Sequence, residues 1–333
     1  MKSFLQKLDF RFLIAGEMIS GRGEDCFYSA QKDNSAIAAV FDGCGGLGSR
    51  KYQNYRDHTG AYMAARAASG AVRDWYQESG DEAGSTGEKG TGRRAGEDSG
   101  DTRKAALQIS SYLTRALDVV NGLAGQTSRI FGTMVRDFPT TAAAALVRNS
   151  EQGTEVQCFW AGDSRVYLMN REGLAQLTRD DVDGTNAMSN LRSDGALTNV
   201  VAADREFVLH AGKKLRFGDK DPYMIFAATD GCFGYLPTPM DFEDMILTCL
   251  LKAAGPMDFR HRLEESIRET AGDDYTLAFM SFGFGDFRTM QESMRPRKRT
   301  LQHDYMDWME QDPSLEMQER LWQEYRVNYE RLL

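Results

Sequence analysis

The sequence has little that would bind soft metals or close covalent loops. Its five cysteines (Cys26, Cys44, Cys158, Cys232 and Cys249) are odd in number, scattered and without a Cys-x-x-Cys pair. Neither a disulfide framework nor a thiolate zinc site is therefore expected. The four histidines (His58, His210, His261 and His303) are not paired at helical or hairpin spacing, so any metal would be held mainly by oxygen, which favours Mg²⁺ or Mn²⁺ over zinc. No apolar run approaches the length of a membrane span, and Met1 to Phe12 lacks the central apolar region of a signal peptide. Positive charge is in deficit: 40 Lys and Arg against 49 Asp and Glu leave a net charge of −9. That balance argues against nucleic-acid phosphate as the principal partner. The expected setting is a reducing cytoplasm, with neither membrane nor nucleic acid as partner.

What is present is a chain of 333 residues, 41% of them hydrophobic, enough for a sizeable core in one large domain or two smaller ones. Short apolar runs bounded by turn residues predict strands at Phe10 to Ile14, Cys26 to Ala30, Ala36 to Phe41, Thr140 to Val147, Val156 to Ala161, Val166 to Met169, Met224 to Thr229 and Tyr275 to Phe282. Apolar residues at helical spacing predict helices over Asp57 to Trp75, Ala105 to Leu123, Phe242 to Ala253 and His261 to Thr270. Between the first two helices, Ser79 to Asp101 is rich in Gly, Ser, Glu and Asp and reads as a flexible insertion. Residues 178 to 204 read as a loop or short helices covering one rim of a sheet. The composition shifts after Gly285, giving an expected domain over 1–285 and, over 286–333, a basic connector at Arg295 to Arg299 followed by a helical tail. Trp308, Trp322, Tyr325 and Tyr329 in that tail either pack on the domain or bind a partner, and packing is the preferred reading.

Four of the predicted strands meet an acid beside a glycine: Phe41-Asp42-Gly43, Gly162-Asp163-Ser164, Thr229-Asp230-Gly231 and Gly272-Asp273-Asp274. Singly, each is a turn signal. Gathered on one rim, the carboxylates would repel one another unless protons or cations neutralised them. Divalent metals ligated by oxygen would do so, and the chemistry they best support is hydrolysis of a phosphate ester.

The order of these segments carries a family resemblance. Asp42-Gly43-Cys44-Gly45-Gly46 resembles the Asp-Gly-x-Gly-Gly signature of the metal-dependent protein phosphatases of type 2C. Pro139-Thr140-Thr141-Ala142, Gly162-Asp163-Ser164-Arg165, Thr229-Asp230-Gly231 and Gly272-Asp273-Asp274-Tyr275-Thr276 are similar to the family's later segments and follow in its order. The resemblance spans roughly residues 9 to 283. It implies an α+β fold, a central antiparallel β-sandwich flanked by helices on both faces, with a binuclear site between the rims of the sheets.

The resemblance also implies roles. Asp42, Asp230 and Asp273 would form the catalytic core, with Asp42 bridging two Mg²⁺ or Mn²⁺ ions and the Gly43 carbonyl completing one of them. Glu24 and Asp25 resemble the family's early acidic pair and would support the second metal. Asp163 corresponds to an acid of a weaker third metal, although Gly234 stands where many relatives carry another acid. Arg22 is either the phosphate-binding arginine, closer to Glu24 than the family's usual spacing, or a loop cation. Cys44 replaces the histidine of many relatives and reads as a packed turn residue. The implied activity is a serine/threonine protein phosphatase acting on phosphoserine and phosphothreonine proteins through a water bridging two metals. Two alternatives remain, a phosphoprotein-binding regulatory pseudophosphatase and a small-molecule phosphohydrolase.

Overall fold

A computed structural model of the chain describes residues 7–79, 97–124, 136–184, 186–192 and 195–333. Two antiparallel sheets lie face to face. The first has the order β1 (Leu8–Gly16), β13 (Tyr275–Phe282), β12 (Tyr223–Ala228), β8 (Arg165–Asn170), β9 (Gly173–Gln176). The second runs β10 (His210–Ala211), β7 (Gly153–Ala161), β6 (Ala142–Ser150), β3 (Ser35–Phe41), β2 (Cys26–Gln31), and β11 (Leu215–Gly218) also pairs with β7. A small ribbon of β4 (Lys51–Tyr52) and β5 (His58–Thr59) leads into the first helix.

Residues of one strand alternate between two cores, as the strand period of two requires. On β3, Ala36, Ala38 and Val40 face the opposite sheet, where they meet Val166, Leu168, Ile225 and Met280. Ile37, Ala39 and Phe41 face outward onto helices α1 (Gly60–Ser79) and α2 (Glu97–Ala124), with Trp75 and Leu113 among the buried side chains there. Burial on both faces explains why β3, β6, β12 and β13 are near-continuous apolar runs. The other sheet carries its outer core against α4 (Pro239–Lys252), α5 (Pro256–Thr270) and the C-terminal helices. The result is helix, sheet, sheet, helix, the α+β sandwich expected from the sequence.

Three of the expectations need correction or narrowing. Helix α2 begins at Glu97, inside the stretch expected to be an insertion, and the remainder of that stretch, 80–96, lies outside the described residues. Strands β9, β10 and β11 were not anticipated, because each is at most four residues long and lacks an apolar run. The basic run Arg295 to Arg299 is no connector: it lies within helix α6 (Phe287–Leu301). Met290, Met294 and Leu301 of this helix enter the core, while Arg297 and Lys298 reach the acids Glu243 and Asp244 of α4.

A π-helical turn (Gln302–Met306), α7 (Asp307–Gln311) and α8 (Leu315–Tyr329) complete the tail. Trp322, Tyr325 and Tyr329 are buried in the same core as α4 and α5, whereas Trp308 stays exposed. The cover segment contains one short helix among its described residues, α3 (Ala187–Arg192). No helix among the described residues is long and apolar enough to cross a membrane.

Candidate active site

Register brings the predicted acids to one end of the sandwich. Cys26 pairs with Phe41, Val40 with Ala143, Ala142 with Ala161, Ala228 with both Arg165 and Leu277, and Gly16 with Tyr275. Asp25 therefore stands just before β2, Asp42 just after β3, Asp230 just after β12 and Asp273 just before β13. Asp163 occupies the turn where the chain leaves β7 in one sheet and enters β8 in the other.

Hydroxyl groups fix the backbone around these acids. The Asp42 amide donates to Thr141 Oγ1 at 3.1 Å, and the Thr140 hydroxyl donates to the Asp42 carbonyl at 2.8 Å. Thr141 Oγ1 also lies 2.6 Å from Ser164 Oγ, tying the turn after β3 to the Asp163 turn. Gly43 forms a single-residue bridge with Thr140. Thr229 donates to Asp25 Oδ2 at 2.8 Å, and Thr59 donates to the Glu24 carboxylate. Asp274 accepts the amides of Met18 and Glu24, both at 2.8 Å, while Asp273 accepts the Asp274 amide at 2.7 Å.

Two glycines make this crowding feasible. Gly162 has φ +96°, a left-handed conformation, and a Cβ there would fall 2.7 Å from Thr141 Cγ2. At Gly231 a Cβ would fall 1.9 Å from the Asp274 carbonyl oxygen, so the turn after β12 can pass the start of β13 only without a side chain.

The site holds more negative charge than its surroundings can compensate. Burial, then Asp230, Asp25 and Asp163, raise the Asp42 carboxyl well above its usual range. Burial pushes Asp25 up to about 8, against the hydrogen bonds from Thr229 and Thr276 and with help from Asp230 and Asp274. Asp163 is likewise raised to about 8 by burial, Asp230 and Asp180, with Arg165 opposing. Asp230, Glu24 and Asp273 are raised as well, in each case first by burial. The Cys44 thiol is driven well above its ordinary value by burial and by Asp42, Asp163 and Asp230. It stays protonated.

Asp25, Asp42, Asp163 and Asp230 thus form one electrostatically linked group, Asp273 bears on Asp230, and Glu24 lies in the field of Asp273 and Asp274. Arg22 is exposed on the β1–β2 loop, where its amide donates to the Ile19 carbonyl at 2.9 Å. The guanidinium beside Glu24 is that of Arg66, which donates to the carbonyls of Gly23 and Glu24 at 3.1 and 3.4 Å and stacks over Tyr62. The donor set, all oxygen and predominantly anionic, has the chemistry of a hard divalent-cation site. Its arrangement is not closed, for among the described residues no group of three or more His, Cys, Asp or Glu is disposed to hold a metal ion as it stands. Asp230 raises the proton affinity of Asp42, and a cation would relieve the same repulsion.

Several supporting residues escape sequence reasoning. Arg165 makes two hydrogen bonds to Asp180, at 2.9 and 2.6 Å, with both side chains almost fully buried. Asp181 accepts the Gly162 amide at 3.0 Å and is held by Asn199 and His210. The cover segment is thereby pinned to the Asp163 turn. Thr59 and Arg66 carried no motif signal, while Thr141, Ser164 and Arg165 lie within the motif segments but without any indication of their partners.

A family profile described as Protein phosphatase 2C matches residues 21–268, well over half of the chain. The chain belongs to the protein phosphatase 2C family. The matched range ends before Asp273, the last of the acids. Among solved structures, the serine/threonine phosphatase Stp1 from Staphylococcus aureus superposes with a TM-score of 0.53 at 14% identity, covering 85% of this chain and 99% of that one. The Mycobacterium tuberculosis serine/threonine phosphatase PstP/Ppp gives 0.51 at 15% identity, covering 82% and 98%. A C. elegans sex determining protein gives 0.57 at 13% identity, covering 86% of this chain and 67% of that protein. A search of curated protein sequences finds no match. At these identities the structures establish the protein phosphatase 2C fold, and the roles of individual residues rest on this chain's own geometry.

Proposed function

We propose that this protein phosphatase 2C family member is a divalent-metal-dependent serine/threonine protein phosphatase. The observation that carries the reading is the group Asp25, Asp42, Asp163 and Asp230 at the sandwich rim, whose buried carboxyls are raised by burial and by one another. Burying so many like charges is costly without a cation, so the arrangement has a use only if one binds. Two Mg²⁺ or Mn²⁺ ions would supply an activated water and offset the charge of the phosphoryl oxygens. Asp42 and Asp230 would hold them as carboxylates, with Asp273, Glu24, Asp25 and the Gly43 carbonyl completing the set. Asp163 would serve a weaker third ion. Gly234 adds no acid there, and a Cβ at that position would lie 2.9 Å from the Asp230 carbonyl.

The other residues orient rather than react. Thr140 and Thr141 fix Asp42, Thr229 fixes Asp25 and Thr59 fixes Glu24. Cys44, kept a thiol first by burial and then by Asp42, Asp163 and Asp230, is not a nucleophile at neutral pH. With no side chain assigned to protonate the leaving oxygen, aryl phosphates with good leaving groups should be cleaved faster than phosphoserine peptides.

Phosphate release from phosphopeptides should require Mn²⁺ or Mg²⁺, stop on chelation, and fall by about 100-fold or more in Asp42→Asn and Asp230→Asn. Absence of any metal-dependent release by the intact chain would overturn the enzymatic reading. A second reading, a phosphoprotein-binding pseudophosphatase, is favoured by Cys44 and Gly234 standing where many relatives carry a histidine and an acid. Titration with Mn²⁺ separates the two, since the non-catalytic protein would bind phosphopeptide without turning it over.

A further inference from the structure

The β1–β2 loop does something that metal ligation does not need, holding large apolar side chains in solvent beside the carboxylates. Met18 is 53% exposed and Ile19 60%. The loop is nonetheless tightly tied. The Met18 amide donates to Asp274 Oδ1 at 2.8 Å, the Gly21 amide to the Glu17 carboxylate at 2.5 Å, and the Arg22 amide to the Ile19 carbonyl at 2.9 Å, with Gly21 at φ +75°. These bonds fix the backbone that carries Met18 and Ile19 while leaving both side chains outside the core.

Tyr235, 52% exposed, lies against the turn that carries Asp273. Its ring covers Gly272 so closely that a Cβ there would come within 2.4 Å of the tyrosine Cε1. One exposed apolar side chain is ordinary on a protein surface. Here the turn that carries Asp273 is met at both neighbouring residues, by the Met18 amide at Asp274 and by the Tyr235 ring at Gly272, so the β1–β2 loop and Tyr235 reach the same turn of the candidate site.

We propose that Met18, Ile19 and Tyr235 form an apolar docking rim for the substrate's own polypeptide, so that the site takes phosphoproteins with an apolar side chain near the phosphorylated residue. The inference rests on the phosphatase reading of the neighbouring acids. A chain that delivers its phosphate toward Asp42 and Asp230 and passes over the Asp273 turn meets this rim. A free phosphate ester of small size would leave it uncovered. Glu17 and Asp273 are exposed alongside, so acidic flanking residues are disfavoured by like charge.

The test uses the full chain with Mn²⁺ and three phosphopeptides identical except for Leu, Ser or Glu beside the phosphorylated residue, with p-nitrophenyl phosphate as the control. The Leu peptide should show kcat/KM about tenfold above the Ser peptide, as expected for covering one or two half-exposed apolar side chains. Ile19→Ser and Tyr235→Ala should erase that advantage while leaving p-nitrophenyl phosphate hydrolysis unchanged. Equal kcat/KM for all three peptides, with metal-dependent hydrolysis intact, would overturn the docking rim and leave the phosphatase reading standing. If nothing is hydrolysed, fluorescence anisotropy with the same labelled peptides decides. Tighter binding of the Leu peptide that is lost in both variants supports the rim, and indistinguishable affinities overturn it.

Discussion

A carboxyl that keeps its proton to about pH 8 changes how the folded chain responds to acid and base. Asp25 and Asp163 are raised to about 8 from an ordinary 3.8. Between those values the folded, metal-free protein binds protons that the unfolded chain releases, so the contribution of these groups to stability is greatest at the acidic end of the window and is lost as pH rises through 8. The melting temperature of chelated protein, followed by circular dichroism, should therefore fall between pH 5 and pH 8.5. Excess Mn²⁺ should restore more stability at the alkaline end, because ligation displaces those protons. The four acid-glycine turns were legible in sequence since a strand must end where glycine lets the chain turn. The hydrogen bonds of Thr59, Thr141 and Ser164 were not legible, because their partners lie far away along the chain and only the register of the sheets brings them together.

At the scale of elements, the 3-10 turn Asp230–Cys232 passes close against the start of β13 at the rim. Gly231→Ala would drive a methyl into the Asp274 carbonyl, and Asp273 and Asp274 would have to retreat. The expected cost is about 2–3 kcal/mol of stability, measured by denaturant unfolding, with a loss of metal-dependent phosphate release larger than lost stability alone explains. The strands that form this joint were readable: the expected Tyr275 to Phe282 coincides with β13, and Met224 to Thr229 lies within one residue of β12. Both are buried on two faces and so are largely apolar, Thr276 and Ser281 of β13 being the polar exceptions. Helix α6 was misread for the opposite reason. Its charges suggested a solvated segment, yet Arg297 and Lys298 are satisfied by acids on α4, a pairing that no local pattern reveals.

For the whole molecule, the C-terminal helices belong to the same core as the sheet beneath them. Glu243 of α4 is fully buried and accepts two hydrogen bonds from Arg297 of α6, each at 2.7 Å, together with the Tyr325 hydroxyl of α8 and the amide of Leu174 in β9. Arg297→Met would leave the buried carboxylate short of its cation and should cost about 3–5 kcal/mol, whereas adding Glu243→Gln should recover part of that loss in denaturant unfolding. Recovery occurs only if the pair acts as one unit. The position of these helices has a further effect on β9, the outermost strand of its sheet. The Leu174 amide is occupied by Glu243, Arg331 caps the Gly173 carbonyl at 3.3 Å, and Asn328 binds the Glu172 carbonyl at 2.6 Å. Backbone groups that would otherwise be open to a strand from another molecule are thereby blocked, and α4 together with the C-terminal residues covers this edge against edge-to-edge pairing.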